Sequence, residues 1–577
     1  MKFSELAKYF DRLEDTSSRN ELVKILAELY RAVSPHEIGP VTYLIQGRLA
    51  PFFDPTEIGM GEKYVIQAVA SAYKTDREDV AKLYSKLGDL GLVAETLARK
   101  AKNKNLSVED VYGSLLKIAN TRGAGSVENK LSQLADLLDA LDPTSSKHLV
   151  RIPVGKMRLG IGSPTVMDAL SFAKAGDKSL RKVLQGAYEK TSDLGLIAGT
   201  FWGKGEKGVA ELKIMIGKPV LPQLAERLPN PETVIQKLGY IGVQPKYDGF
   251  RVQIHKNHDE VSIYSRNLEN MSLMFPELTK AAKELNVETV ILDGEAIAYN
   301  PETDQYLPFQ ETTKRRRKHG IEELAEALPL KAFVFDILYE NGKPLTDLPY
   351  ERRLGIADRV VDGSETLLKA PLIKTDSVEV LTRQLMENIS NGLEGVMVKR
   401  LDSVYQAGGR NFNWVKLKRH TTGELGDTVD LVLLGYYFGK GKRTAFGAGG
   451  LLAGVYDSNK DEFVTITKIG TGLSDDEWRE IHRRGDELQV GHKPARVNSI
   501  LVPSVWIRPE IVVEVMADEI TKSPVHTAGK TDDNPGYALR FPRIVSFRDK
   551  DKRAEDATTV KEIVTMYKQQ YQHKDSD

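Results

Sequence analysis

The chain has no cysteine among its 577 residues. That excludes disulfides, thiolate zinc sites and a cysteine nucleophile, and it fits an intracellular protein. Nor is there a surplus of either charge, since 81 lysines and arginines balance 81 aspartates and glutamates. A global basic field that would draw the protein onto nucleic acid is therefore missing, and any such attraction has to be local. No apolar run approaches the ~18 residues of a membrane span. The opening Met1-Lys2-Phe3-Ser4-Glu5 is charged and lacks a signal-type apolar segment. The expected location is the cytoplasm. A hydrophobic content of 41% with 28% charge is ordinary for globular protein. The length calls for three or four domains rather than one core.

Texture changes twice along the chain. Residues 1–210 read as helical, with apolar residues at helical spacing in Glu21–Leu29 and Lys130–Leu138. Two loops there, Thr121–Ser126 and Arg158–Pro164, pair glycines with a serine expected to cap the following helix. Free backbone N–H groups beside an arginine in each loop make them candidate phosphate cradles. Residues 211–420 mix helices with apolar runs of strand length, Val290–Asp293, Ala332–Asp336 and Gly395–Lys399. Residues 421–577 are rich in short strands separated by glycine-rich connectors such as Phe446–Gly450, which implies a small barrel, and end in a helix and a polar tail.

The most informative stretch is Lys246-Tyr247-Asp248-Gly249-Phe250-Arg251. An apolar lead-in and an alternating run after it read as strand, tight turn, strand, with Asp248-Gly249 as the turn. A lysine there can point into a cleft from a rigid backbone. Downstream come Ser265-Arg266-Asn267, Leu292-Asp293-Gly294-Glu295, Phe333-Val334-Phe335-Asp336, Glu394–Lys399, Trp414–Lys418 and Leu539-Arg540-Phe541-Pro542-Arg543. Lys416 and Lys418, two apart on a strand, share one face. Such a pair can hold phosphate charge and favour the unprotonated amine that attack on a phosphoanhydride requires.

In this order and at these gaps the motifs resemble the covalent nucleotidyltransferase superfamily. More narrowly, they are similar to ATP-dependent DNA ligases of the archaeal and eukaryotic replicative type, over essentially the whole chain. The resemblance implies an all-α DNA-binding domain (1–210), an α/β (α+β) adenylation domain (211–420) and a β-barrel OB-fold domain (421–577). It implies ATP and Mg²⁺ (or Mn²⁺) as cofactors and nicked duplex DNA as substrate, sealed through lysyl-AMP and DNA-adenylate in replication, repair and recombination. It makes Lys246 the nucleophile. Glu295 would contact ribose and metal, Glu394 would support the metal, and Phe335 would stack on adenine. One of Phe333 and Phe335 is expected to face the core and the other the cleft. Arg251, Arg266 and Arg410 match ribose and phosphate contacts, where a guanidinium fork suits paired oxygens. Lys416 and Lys418 would contact the α-phosphate, and Arg540 and Arg543 the leaving pyrophosphate.

One departure concerns the donor. Gln244 stands where relatives often carry a glutamate that reads the adenine amino group, so ADP or GTP enter as alternative donors. The basic runs Lys314–Lys318 and Lys440–Arg443 are the local charge expected to track DNA phosphates. A monomer, nucleoid-associated in an archaeal-type cell and partnered by a sliding clamp, is the expected working form. The rival readings are an RNA ligase or capping guanylyltransferase, a NAD-dependent ligase, and a non-catalytic duplex-binding protein on a decayed core. The helical N-terminal region argues against the RNA ligase and the guanylyltransferase, and the absence of a nicotinamide-type segment and of zinc-module cysteines against the NAD-dependent ligase. Intact Lys246, Glu295, Glu394, Lys416 and Lys418 argue against decay.

Overall fold

The computed structural model describes residues 1–572, leaving out 17, 99–103, 156, 158, 160, 229, 301–304, 308, 316–319, 392, 419–427, 440–446, 495, 550, 551 and 553. The basic run 440–443, most of 314–318, and Arg158 and Gly160 of the second glycine loop thus lie outside the described residues. The chain forms two compact units, Met1–Arg419 and His420–Asp577. No helix among the described residues is long and apolar enough to cross a membrane.

From Phe3–Glu14 to Leu194–Ala210 the first unit is helical, with no strand among the described residues. Amphipathic spacing builds its core: in Phe3–Glu14 the buried residues are Phe3, Leu6, Ala7, Phe10 and Leu13, one stripe of a 3.6-residue period. Local caps set several boundaries, as where Ser107 and Asp110 form a capping box at the start of Val108–Asn120. The two glycine loops depart from expectation. Gly125 and Gly162, not the serines, are the cap residues, and neither helix start carries a side-chain cap hydrogen bond. Gly125 takes this position with φ of 72°, a left-handed conformation that glycine adopts at no steric cost.

Two sheets follow. The first contains β1 (Leu224–Arg227), β2 (Ile241–Lys246), β10 (Ile373–Thr375), β11 (Gly395–Lys399) and β12 (Arg410–Lys418), in the order β1-β12-β11-β2-β10. The second is built on β3 (Phe250–Asn257), β4 (Glu260–Ser265), β5 (Thr289–Asn300) and β7 (Leu330–Glu340), in the order β4-β3-β5-β7. The short β6 (Gln305–Tyr306), β8 (Lys343–Pro344) and β9 (Leu367–Lys369) pair at its margins. Strand alternation gives each sheet one apolar outer face. Ile241, Val243, Val396, Val398, Val415 and Leu417 pack with Val234, Leu381 and Leu385 from helices Pro231–Leu238 and Val378–Ser390. Val252, Ile254, Val290, Leu292, Ala332 and Val334 pack with Leu278 and Ala282 of helix Pro276–Glu284 and Ala357 of helix Tyr350–Val360. The inner faces meet where Trp414 of β12 clusters with Ile291 and Leu338 of β5 and β7. Each fully buried valine or leucine contributes ~1.5–3 kcal/mol, so these outer faces hold the sheets and leave the inner faces free to carry polar groups.

The expected hairpin at Asp248-Gly249 is absent. β2 pairs with β10 and β11, whereas β3 pairs with β4 and β5, so residues 247–249 cross from one sheet to the other. Glycine is required there by closeness rather than by turn geometry: a Cβ at Gly249 would lie 2.3 Å from the Ala296 carbonyl oxygen.

The segment joining the helices to the sheets is stitched down. Gly217 N–H donates to His255 Nδ1 at 3.0 Å, so the ring proton sits on Nε2, which donates to Gln253 Oε1 at 2.9 Å. Gln253 also exchanges hydrogen bonds with both backbone groups of Val220. Burial pushes His255 down to about 3, in keeping with a neutral ring. Phe53 of the helical region packs edge-on against Tyr264 at 6.0 Å, beside Leu268.

The second unit is β-rich. β13 (Val429–Phe438), β14 (Ala448–Asp457) and β15 (Glu462–Ile469) form its centre. β16 (Gln489–Val490), β17 (Val497–Asn498), β18 (Val505–Ile507), β19 (Val512–Met516) and β22 (Arg543–Phe547) extend the same sheet. β20 (Glu519–Ser523) and β21 (Gly536–Arg540) pair separately. This ladder does not close on itself among the described residues. Ala448–Gly450, expected in a connector, begin β14 instead. A helix, Val560–Gln572, follows.

Candidate active site

Lys246 ends β2 at the point where the chain leaves one sheet for the other. Its backbone is in register with Gly395 of β11, which is in register with Lys418 of β12. One step along, Gln244, Met397 and Lys416 form a second row, and Gly242, Lys399 and Trp414 a third. Because alternate residues share a face, the three rows line the inner surface of the first sheet. The side chain of Lys418 lies outside the described residues.

Glu394 stands just before β11. Its N–H donates to the Lys246 carbonyl at 3.2 Å, and its carboxylate forms an ion pair with Lys246 Nζ. Opposite, Glu295 of β5 accepts a hydrogen bond from Gly249 N–H at 3.2 Å. Burial raises its carboxyl to about 7, against the opposing pull of Lys246 and Arg251. A carboxyl held near neutrality, a lysine and a second carboxylate thus surround one crossing of the chain.

The sheet opposite supplies aromatics and a structural arginine. Phe333 and Phe335 are two apart, and both lie on the inner side, correcting the expectation that they diverge: period-two geometry puts such a pair on one face. Tyr247 stacks on Phe333 with centroids 4.0 Å apart and planes at 10°. Phe335 is left beside Trp414, edge-on at 5.7 Å. Asp336, next in sequence, forms a fully buried pair with Arg353 through contacts of 2.8 and 3.0 Å, which fixes the strand bearing Phe335. Arg251 is held by Asp293 through contacts of 3.0 and 2.7 Å and donates to the Gln223 carbonyl at 2.7 Å. The pairing with Asp293 raises its already high pKa against the effect of burial. Arg266 sits in the turn after β4 and lines a small cavity with Arg251, Gln253, Tyr264 and Asp293. Arg410 begins β12 and reaches the Ala225 carbonyl at 3.4 Å.

In the second unit Arg540 and Arg543 flank an exposed turn. They pair with Glu519 at 2.8 Å and Asp518 at 3.1 Å. Between them Phe541 is 59% exposed with φ of 53°, a conformation that non-glycine residues rarely hold without a local reason.

Three residues near the site escaped the sequence reading. Met397 faces the cleft between Gln244 and Lys416. Lys399, 1% exposed, sits among Phe335, Tyr350 and Trp414 with its ammonium 4.2–4.5 Å from each ring centre. Burial lowers its pKa to about 7. Tyr350, fully buried, bridges Lys399 and Gln244. Strand alternation through Gly395–Lys399 was the available signal for the first two; nothing local marked Tyr350.

The site's donor set suits a hard divalent ion: two carboxylates, with the remaining positions left to phosphate oxygens and water. A three-ligand cluster among the described residues occurs elsewhere, at Asp11, Glu14 and His148 in the helical region. There Lys147 and Arg151 already neutralise the acids.

Known proteins resemble this chain over nearly its whole length. Residues 2–171 match the family model for the DNA ligase N terminus, 222–418 the ATP dependent DNA ligase domain, and 444–552 the ATP dependent DNA ligase C terminal region. The chain is 47% identical to a probable DNA ligase of Dictyoglomus turgidum over 583 aligned positions, covering 100% of both chains. It is 39% identical to a DNA ligase of Saccharolobus solfataricus, covering 99% of this chain and 98% of the relative. A solved structure described as Pmar-Lig_PreS3 shares the fold at 18% identity, with a TM-score of 0.52, covering 94% of this chain and 99% of that one.

Proposed function

Since the chain belongs to the ATP-dependent DNA ligases, which seal nicks in duplex DNA through adenylate intermediates, we propose the following division of labour among its residues. Lys246 attacks the ATP α-phosphate, forms lysyl-AMP and releases pyrophosphate. AMP then passes to the 5′-phosphate of a nick, and the 3′-hydroxyl displaces it. Covalent catalysis divides one difficult condensation into exchanges of similar energy. The observation that carries the assignment is the Lys246–Glu394 ion pair at the crossing between the two sheets, with Glu295 opposite.

Glu295 and Glu394 would hold Mg²⁺ (or Mn²⁺), which supplies charge neutralisation on the polyphosphate. Glu394 has to exchange Lys246 for that role, which frees the amine as the nucleotide arrives. Phe335 and Met397 enclose the base, and Gln244 reads its edge, with ADP or GTP as alternative donors. Arg251, Arg266 and Arg410 take ribose and phosphate oxygens, Arg251 from a fork anchored on Asp293. Lys416 and Lys418 hold the α-phosphate. Residues 1–210 bind DNA, 211–420 form the adenylation domain, and 421–577 form an OB-fold. The uncapped helix starts after Gly125 and Gly162 are suited to backbone phosphates. A sliding clamp as partner and a monomeric enzyme complete the reading.

The test is incubation with α-labelled ATP and Mg²⁺, denaturing electrophoresis, and a chase with nicked duplex. Label should join the protein and leave as the nick closes; label stable to the chase would refute the order of steps.

Arg540 and Arg543 are assigned to the pyrophosphate. Their replacement together by alanine should slow lysyl-AMP formation by at least ~10²-fold while leaving sealing of a pre-adenylylated nick intact. Their partners are half-exposed carboxylates at the surface, so the melting curve should move little. Equal loss in both assays would remove the assignment.

A further inference from the structure

At the base end of the cleft Gln244, Tyr350 and Lys399 form a buried polar chain. Gln244 is 2% exposed, and its two ends can be told apart. The Ala370 backbone carbonyl only accepts, so the group 3.3 Å from it is the Nε2 donor. Oε1 therefore meets the Tyr350 hydroxyl, at 2.9 Å. That hydroxyl has one proton and two further neighbours, the Phe335 carbonyl and Lys399 Nζ, each at 3.1 Å. Lys399 also reaches the Phe335 carbonyl, at 3.3 Å. By covering that carbonyl and donating to the hydroxyl oxygen, Lys399 directs the tyrosine's single proton to Gln244. The second Gln244 N–H has no partner among the described residues, and Gln244 stands beside Met397 in one row of the sheet.

We propose that Tyr350 and Lys399 are positioning residues that set which purine the nucleotide donor carries, by locking the Gln244 carbonyl away from the base and leaving an amide N–H to read it. The inference rests on the assignment of Gln244 to the base edge. A lone N–H seeks an acceptor, and adenine N1 and guanine O6 both provide one. A carbonyl or carboxylate at that point would pair with the adenine amino group and repel guanine O6. The lock therefore admits both purines, whereas a free glutamine carbonyl or a glutamate would favour adenine.

The experiment measures kcat/KM for lysyl-nucleotide formation by the full-length enzyme with ATP and with GTP. Wild type should accept GTP measurably. Tyr350→Phe removes the donor that holds the Gln244 carbonyl, leaving only the long 3.3 Å Ala370 contact to oppose its turning to the adenine amino group, and should raise the ATP-to-GTP ratio by about fivefold or more. Lys399→Met, which lets the tyrosine proton divide between two carbonyls, should raise it less. Gln244→Glu should raise it most. A merely structural defect lowers both donors alike and leaves the ratio where it was, so an unchanged ratio in Tyr350→Phe and Lys399→Met, with a raised one in Gln244→Glu, overturns the lock and preserves the base contact. An unchanged ratio in Gln244→Glu and Gln244→Leu removes the base contact and the lock with it.

Discussion

Lys246→Ala is expected to form no covalent nucleotide adduct at all, and to seal an ordinary 5′-phosphate nick at least ~10⁴-fold more slowly than wild type. The same variant should still close a nick that already carries the 5′-adenylate, because that step needs only attack by the 3′-hydroxyl. The contrast matters more than the loss. A variant that failed to fold would fail in both assays, and a lysine that only bound phosphate would slow both. Lys246 also neutralises Glu394 in the resting enzyme. Its removal takes one cation from that carboxylate, so a modest fall in melting temperature should accompany the chemical defect. Label trapped on the variant by α-labelled ATP would end the nucleophile assignment.

Glu295→Gln should lower ordinary nick sealing by ~10²-fold or more, yet make the protein harder to unfold at high pH. The carboxyl is raised from 4.5 to about 7 in the fold, principally by burial. Between those values the unfolded chain has released its proton while the folded chain keeps it. Stability therefore falls as pH rises through that window, and above it the whole penalty is present. A shift from 4.5 to about 7 corresponds to ~3 kcal/mol, which glutamine should return at pH 8. Below pH 4.5 both states are protonated and the two proteins should melt together. Denaturation of wild type and variant at pH 4 and pH 8, without nucleotide or metal, measures this. A variant less stable at pH 8 would mean that the Gly249 N–H and Lys246 hold the ionised carboxylate better than burial opposes it. The residue illustrates a general exchange: a carboxylate placed for chemistry is kept where the fold would prefer none.

Much of this site was legible in the sequence. Gly395–Lys399 is a strand over the residues its apolar run marks, and Lys246, Glu295 and Phe335 lie on two sheets, with Glu394 just before a strand of one, that only folding brings together. What local pattern could not supply was the partner of each strand. An Asp-Gly step between two strands reads as a hairpin because hairpins are the commonest solution. Here the strand before it pairs with residues some 150 positions downstream. The same limit hid the lock on Gln244. Lys399 belongs to a quoted motif, but a lysine is presumed exposed until the tertiary structure surrounds it with rings. Tyr350 sits at a helix start with nothing in its neighbourhood to mark it. The glycine caps were misread for a subtler reason: serine is the better cap by side-chain hydrogen bonding, whereas here a glycine stands at each cap, left-handed at Gly125 and extended at Gly162, and no side chain caps either helix start.

The crowding at Gly249 separates two reasons why a position can refuse substitution. In Lys246-Tyr247-Asp248-Gly249 the first letter is written by reactivity and the last by volume, because a Cβ at the last would overlap the Ala296 oxygen. A saturation library screened for activity would return a blank at both positions. A parallel screen for soluble yield would separate them: substitutions at 246 would persist as abundant, silent protein, and those at 249 would vanish from the population before any reaction could be scored.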